Sequence, residues 1–353
     1  MALPEMNEPL HPVSNGAAPV EDLEGDGEII ALVRQVDAHF FAPPQAEKIM
    51  ADFDPATLSL RTEFQKIANA FRHNLISTIS TVAMPFALAD ASAHQRIFQS
   101  LHACERIRAT LIEEYPNQCE DLEEYRERIA YEKASCRMRT EFCESPVGAR
   151  VIIRHQSQFL LEGLNHGLES AAQELLQQGL VLLWSAFEVL CRDMFEALLN
   201  ADPAKVRELI NHPATRKRFE VERLPLDALV QHGFDLSGRL GSVLVGQQDF
   251  SDLPTVKAVY AVLFPNGSDL NQALAHRGLW TLYQRRHLVV HRRGVIDQAY
   301  LDATGDASCL GTRLAVSPSD FSGALGVIVA AGTAMSRSLP IENATASEPG
   351  DPR

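Results

Sequence analysis

Apolar residues recur at intervals of three and four along most of this chain, which is the spacing of amphipathic α-helices. The segment 175–199 is apolar around most of a helical wheel and therefore predicts a central, buried helix. Few segments alternate with a period of two, and the best candidate for a short strand is 312–316. The pattern as a whole predicts an all-α fold. The narrow polar stripe of the central helix consists of Glu188, at its edge, and of Gln178, Ser185, Arg192 and Glu196.

Two helices in the C-terminal half have recognisable end signals. The pattern over 270–292 is helical and is followed by Gly294, a residue type that suits the left-handed position after a helix. Ser317 and Asp320 have the spacing of a capping box, which predicts a last helix over 321–337.

The composition changes along the chain and predicts four segments. Residues 1–27 are rich in Pro, Gly, Glu and Asn, which predicts a disordered acidic tail, and residues 341–353 predict a second disordered tail. Residues 28–160 predict a helical N-terminal region without a recognisable role. Residues 161–340 are more hydrophobic and predict a separate helical domain.

Several protein classes have little support. No stretch of eighteen apolar residues lacks charges or polar groups, which argues against a membrane span, and the N-terminus lacks a secretory pattern. The six cysteines are scattered without a CxxC pair, so neither a disulfide scaffold nor a thiolate zinc site is expected. These features together predict a cytoplasmic protein.

The formal net charge is −14, which by itself disfavours a polyanionic partner. The acidic residues are unevenly placed, however, because residues 1–33 carry seven of them and no Lys or Arg. No acidic residue lies between Asp269 and Asp297, where five arginines occur. Since the local field decides what an anion experiences, this segment can attract RNA or a nucleotide despite the net charge.

The segment 284–294 carries the densest candidate chemistry, with four arginines and two histidines. His287 and His291 are four residues apart, as in helical zinc sites, but no third ligand is evident and the arginines disfavour a dication. We therefore predict no metal and no cofactor. Another interpretation is an exposed basic helix end that complements the helix dipole, a role that suits Arg292 and Arg293.

Arg286 does not fit that second interpretation. On the helical wheel it lies between Leu279 and Val289, in the apolar sector, where a charge must meet a carboxylate, an anion or a partner subunit. A third interpretation is a ribonuclease pair. His291 would exchange a proton with the ribose 2′-hydroxyl or the leaving oxygen, and Arg286 would hold the phosphate.

Spacing alone does not decide between these interpretations, because Arg-x4-His occurs four times in the chain. The copy at Arg286–His291 alone has His after the Arg, and it resembles the signature of HEPN domains, in which Arg is followed by Asn, His or Asp, three residues and His. The continuation through Gly294, Val295 and Asp297 resembles the same family, as does the helix around Trp184. The resemblance covers roughly residues 165–338.

This resemblance implies a bundle of four or five helices that dimerises, so that two copies of the motif form one composite site. Many HEPN domains are metal-independent endoribonucleases of toxin–antitoxin, antiphage or RNA-processing systems, which also implies an antitoxin or another regulatory protein as a partner. Others are inactive and bind nucleotides or proteins, and this remains the alternative function. Neither function involves a membrane.

The resemblance also assigns roles to residues. His291 would be the acid–base group, Arg286 would stabilise the phosphate and His287 would be the polar accessory. Glu188 is a further candidate for orienting Arg286, although it also has the spacing to pair with Arg192 in its own helix. The remaining candidates for RNA or phosphate contacts are Arg277, Arg285, Arg292 and Arg293.

Overall fold

The structure is a computed structural model. It describes residues 27–43, 46–112, 121–219, 230, 233–246, 249–264 and 269–340. These residues are predominantly helical, which confirms the all-α prediction. The two predicted disordered tails lie outside the described residues, except for Gly27, which begins the first helix.

The helices are numbered in chain order. They are α1 (Gly27–Asp37), α2 (Ala46–Met50), α3 (Phe53–Thr57), α4 (Thr62–Val82), α5 (Met84–Ala109), α6 (Leu122–Arg137), α7 (Pro146–Asn165), α8 (Leu168–Ala201), α9 (Lys205–Asn211), α10 (Leu240–Val245), α11 (Leu253–Leu263), α12 (Asp269–Ala275), α13 (Arg277–Arg292), α14 (Gln298–Thr304) and α15 (Pro318–Arg337). A π-helical segment, Met138–Cys143, directly continues α6.

The chain folds into two compact units. The first consists of residues 1–45 and 82–174, and the second consists of residues 46–81 and 175–353. The second unit thus includes α2, α3 and nearly all of α4, which precede the hydrophobic C-terminal half in sequence. Hydrophobic patterning groups residues that are neighbours along the chain, so it gave no sign of this association.

In the first unit α5 is the helix with the most extensive packing. It lies along α6 and α7, and α1 packs against α7. Small and branched side chains make this close approach possible, since Ala93 and Ile97 of α5 meet Ala134 of α6 and Ile152 of α7 in one apolar cluster. Burial of these faces drives the association of the helices.

A carboxylate is buried within this helical packing. Glu105 on α5 exposes only 3% of its side chain and accepts hydrogen bonds from Arg108 at 2.5 Å and Arg137 at 2.9 Å. The hydrogen bond from Arg137 holds the pKa of Glu105 below its ordinary value. Arg137 also pairs with Glu141 at 2.7 Å, so the buried charge belongs to a network that joins α5, α6 and the π-helical segment.

We expect Glu105→Gln to reduce the free energy of unfolding at pH 7 and to weaken its dependence on acid. The folded-state pKa of Glu105 is lowered, so its stabilising effect is complete above the unfolded value of about 4.3 and is lost as the pH falls through the folded value. Urea denaturation at pH 7 and at about pH 3 measures both effects. Glu124→Gln, at an exposed position of α6, should change neither. An unchanged acid dependence in Glu105→Gln would contradict the assignment.

The second unit is built around the apolar part of α8. Leu180, Leu183, Trp184 and Phe187 are completely buried, as the helical wheel predicts. By length and composition α8 could cross a membrane, but 56% of its apolar window is buried inside the protein. That burial favours a core helix. The helices α4 and α5 pass the same test only when both are taken together as one broken span.

The last helix, α15, packs against α3, α12 and α13. It also approaches α4 closely at Gly332, where a Cβ atom would come within 2.5 Å of the Phe71 ring. A larger residue at position 332 would force α4 and α15 apart. This contact explains why residues 46–81 belong to the second unit.

The turn after α13 is anchored to the central helix. Arg293 has φ 54° and Gly294 has φ 74°, a left-handed conformation that favours glycine and ends α13. The buried Gln177 of α8 donates a hydrogen bond to the Leu314 carbonyl at 2.8 Å, and the Leu314 N–H donates to the Gly294 carbonyl at 2.8 Å. The C-terminal end of α13, the helix that carries the Arg286–His291 motif, is therefore fixed by α8.

The prediction of a short strand over 312–316 is wrong. This segment forms one isolated antiparallel bridge, between Arg313 and Val295, and is otherwise extended without a ladder. Its apolar residues Leu314 and Val316 are buried beneath the turn, so the alternation reflects burial on one side rather than sheet pairing.

Candidate functional site

The candidate motif occupies the C-terminal half of α13. This helix begins with His276 as its N-cap, whose ring nitrogen accepts a hydrogen bond from the Gly278 N–H at 3.1 Å. Its apolar face, with Leu279, Leu282 and Leu288, is buried in the second unit. The burial of that face fixes which side chains of the motif point outward.

Both histidines of the motif are exposed. The ring centroids of His287 and His291 lie 4.5 Å apart, and the rings are tilted by 47°. Partial burial lowers the pKa of His287 below its ordinary value, and the positive charges of His291 and Arg286 lower it further. A neutral His287 can accept a proton or a hydrogen bond at neutral pH.

Arg286 is half-buried on the neighbouring face of α13. Its Nε atom is buried and has no hydrogen-bond partner in the described part of the chain. It interacts electrostatically with Glu188 of α8 and with Tyr283, one turn earlier in α13, but neither forms an ion pair with it. The guanidinium group therefore retains N–H groups that could donate hydrogen bonds to a phosphate.

Glu188 is placed as the helical pattern suggested, but it is not part of a tight pair. Arg192, the alternative partner, donates instead to Asp193 at 3.0 Å. Burial raises the pKa of Glu188, and the positive charge of Arg286 offsets this only in part. Glu188 therefore acts on Arg286 as a nearby charge and not through a direct ion pair.

We expect Glu188→Gln to increase the free energy of unfolding at pH 8 by up to about 1 kcal/mol, a small effect because the side chain is only partly buried. The folded-state pKa of Glu188 is raised, so its unfavourable charge is fully present above that pKa and disappears as the pH falls. The gain should therefore shrink as the pH falls from 8 through the folded value, and it should be absent below the unfolded value of about 4.3. Thermal denaturation at pH 8 and below about pH 4 measures it, and a pH-independent difference would contradict this explanation.

Three of the four other arginines form contacts with other parts of the chain. Arg285 donates to Asp320 of α15 at 2.9 Å, and its side chain is only 17% exposed. Arg277 donates to the Thr304 carbonyl at 3.2 Å, and Arg292 pairs with Asp297 at 3.4 Å. Arg293 is exposed in the turn beyond α13. The structure thus gathers Arg286, His287, His291 and Glu188 and places Arg285 and Arg277 elsewhere.

Asp320, the partner of Arg285, belongs to the predicted capping box at the start of α15. The Asp320 N–H donates to Ser317 Oγ at 3.0 Å, and the Ser317 N–H donates to the Asp320 carboxylate at 3.0 Å. Burial opposes the charge on Asp320, but the hydrogen bonds from Ser317 and Arg285 bring its pKa below the ordinary value. Arg285 therefore joins α13 to the start of α15 and has a structural role.

Sequence reasoning missed an acidic and phenolic group beside Arg286. The Tyr283 hydroxyl donates to Asp252 at 3.1 Å, and the same carboxylate accepts the Thr255 N–H as the N-cap of α11. Asp249 lies near enough to affect both Tyr283 and Glu188. The spacing of three residues between Tyr283 and Arg286 places both on one side of α13 and could have indicated this neighbour.

The described residues contain no group of three or more His, Cys, Asp or Glu side chains that could hold a metal ion. Comparison of the chain with protein-family models, with curated proteins and with solved structures gives no match. The chemistry of the site must accordingly be argued from its own side chains, which are an exposed pair of imidazoles beside a guanidinium group with unused donors.

Proposed function

We propose that this chain is a metal-independent endoribonuclease of the HEPN type. The observation that carries the proposal is the half-buried Arg286, with an unpartnered Nε, on the same helix as the exposed His287–His291 pair. A phosphodiester at this surface would supply the anion that Arg286 lacks. The all-α class of the described residues is compatible with such a domain.

In the proposed reaction, His291 removes the proton from a ribose 2′-hydroxyl. The 2′-oxygen then attacks the adjacent phosphorus, and the bond to the 5′-oxygen of the next nucleotide breaks. That oxygen takes up a proton from solvent, and His291 releases the proton that it removed to solvent. The products carry a 2′,3′-cyclic phosphate and a 5′-hydroxyl. Arg286 stabilises the charge that develops on the phosphoryl oxygens.

His287 would assist from within 4.5 Å of the His291 ring. Because its pKa is lowered, His287 is more readily neutral than an ordinary histidine side chain, and it can accept a hydrogen bond from the substrate. Glu188 is a positioning residue that keeps an acidic group near Arg286 without neutralising it through a close contact. Arg292 and Arg293 lie nearest along the chain and would contact flanking phosphates.

A second copy of the chain would complete the site in this proposal. Two α13 helices facing each other would bring two Arg286–His291 sets to one RNA strand, as the resemblance implies. The exposed Val290, 46% accessible between the two histidines, and the exposed Leu182 of α8, 41% accessible, are apolar residues that such a dimer would cover. A cytoplasmic role as a toxin or antiphage effector, controlled by an antitoxin or other regulatory protein, is part of the same proposal.

The decisive experiment is cleavage of a mixed-sequence RNA by the purified full-length protein in EDTA. We expect products with 2′,3′-cyclic phosphate and 5′-hydroxyl ends, and no cleavage of an oligonucleotide with 2′-deoxy sugars. The alternative is a non-catalytic module that binds RNA, nucleotides or protein. It would bind RNA with an affinity that falls steeply with salt and would release no product. Intact RNA at saturating protein concentration would refute the catalytic proposal.

A further inference from the structure

A second concave surface lies along the motif helix, away from the histidines. It is a cavity of about 440 Å³ between α13 and α15, with Leu180 of α8 at its base. This volume is within the range of small-ligand pockets. The residues that line it are Leu180, Arg277, Gly278, Thr281, Leu282, Arg285, Ser319, Asp320, Gly323, Ala324 and Val327.

This cavity is separate from the proposed ribonuclease site. Successive residues of an α-helix are rotated by about 100°, so with Arg286 at 0° Thr281 and Arg285 lie at about 220° and 260°. His287 and Val290 lie at about 100° and 40° on the same wheel. Arg277, at about 180°, is only about 40° from His291 on this wheel, but it lies fourteen residues earlier, about 21 Å away along the helix axis. The two surfaces therefore occupy different parts of α13, and a ligand can bind to one without touching the other.

The cavity combines an apolar wall with an excess of positive charge. Leu180 and Leu282 are buried, and Val327 and Ala324 add further apolar surface from α15. The charged groups in the lining are Arg277, Arg285 and Asp320, which leaves one more cation than anion. Such a surface suits a molecule with an apolar body and one negative group.

The two arginines retain hydrogen-bonding capacity. Arg285 donates to Asp320 through Nη1 and also interacts with the Tyr300 hydroxyl, but its buried Nε has no hydrogen-bond partner among the described residues. Arg277 is exposed, and within the described part of the chain its Nη2 donates to the Thr304 carbonyl. Buried donors without partners are uncommon in folded proteins, and a ligand oxygen would satisfy one.

The α15 side of the cavity is left open by Gly323. A Cβ atom at this position would meet no atom within 4 Å, so the space above the helix is unfilled. Gly326, one turn further along α15, is equally free of neighbours and does not line the cavity. A larger side chain at position 323 would therefore fill the cavity, and the same substitution at position 326 is a matched control on the same helix.

We propose that the cavity between α13 and α15 binds a small organic anion with an apolar body, such as an aromatic sulfonate, phosphate or carboxylate. The apolar part lies on Ala324 and Val327, which cover the buried Leu180 and Leu282. The anionic group is held between Arg277 and Arg285. Because Arg285 and Asp320 join α13 to α15, the ligand would stabilise this connection at a part of α13 away from the histidines.

The first test is a fluorescence titration of the full-length protein with 8-anilinonaphthalene-1-sulfonate, an aromatic sulfonate. We expect saturable binding by the wild-type protein, weakened at least about tenfold by Gly323→Leu, which fills the cavity. Gly326→Leu should keep wild-type affinity, and both substitutions replace an exposed helical glycine, which favours folding. No saturable binding by the wild type, or equal affinity in Gly323→Leu and Gly326→Leu, would overturn the proposal.

The second test isolates the charge. Arg277→Gln should weaken sulfonate binding about tenfold, because it removes a charged hydrogen-bond donor. The uncharged analogue N-phenyl-1-naphthylamine should bind the wild type and Arg277→Gln equally. An equal loss for both probes, or no loss for the sulfonate, would contradict the proposed orientation. His291→Ala should leave both titrations unchanged, which separates this proposal from that of ribonuclease activity.

Discussion

We expect replacement of His291 with alanine to lower the rate of the proposed RNA cleavage by about 10²–10⁴-fold, the usual contribution of a general acid–base group. The reason is that the 2′-hydroxyl then lacks a positioned proton acceptor, whereas Arg286 and the neighbouring arginines still hold the phosphates. The affinity for uncleaved RNA should therefore change little. Single-turnover cleavage of a labelled RNA, together with binding to a 2′-deoxy analogue, measures the two effects separately.

The matched control is His73→Ala. His73 is an exposed histidine on α4, in the same unit as the motif, so its loss removes one imidazole without touching α13. We expect this variant to cleave RNA at the wild-type rate. Wild-type cleavage by His291→Ala, with circular dichroism showing an intact fold, would refute the role assigned to His291.

Replacing Trp184 with alanine lowers the free energy of unfolding by about 3–5 kcal/mol, as is typical of a buried tryptophan. Trp184 is completely buried and packs on Phe187 and Tyr283, with ring centroids 5.6 Å and 5.2 Å away. Its removal leaves a cavity beneath α13 and takes away the surface on which Tyr283 lies. Urea denaturation followed by far-UV circular dichroism measures the loss.

Trp184→Phe distinguishes the packing from the polar atom of this side chain. The indole Nε1 is buried without a hydrogen-bond partner among the described residues, so phenylalanine removes an unsatisfied donor while keeping an aromatic ring. We expect this variant to lose less than about 1.5 kcal/mol. A loss as large as that of Trp184→Ala would contradict the view that one aromatic ring keeps most of this packing.

The elements that the sequence predicted well are those determined by local or periodic signals. The burial of α8 follows from its run of apolar residues. Gly294 and the Ser317–Asp320 capping box mark the ends of helices through their own conformational preferences. The proximity of Arg286, His287 and His291 follows from their positions on one helix. Such signals act over a few residues and can be read directly from the chain.

The features that the sequence did not reveal depend on residues far apart in the chain. Arg285 has the same charge and nearly the same position as Arg286, yet it faces Asp320, thirty-five positions later, and joins two helices. Likewise, the approach of Phe71 to Gly332 depends on two helices at opposite ends of the chain. A helical wheel shows which face is apolar, but it does not show which partner covers that face.

The inclusion of residues 46–81 in the second unit has a practical consequence for protein production. The polypeptide passes from one unit to the other three times, so neither can be cut out as a single uninterrupted fragment. A clone starting near residue 161 would carry the motif helix but would lack the aromatic side chain that lies over Gly332. Expression of the motif on its own scaffold therefore calls for a fusion that joins 46–81 to 175–340.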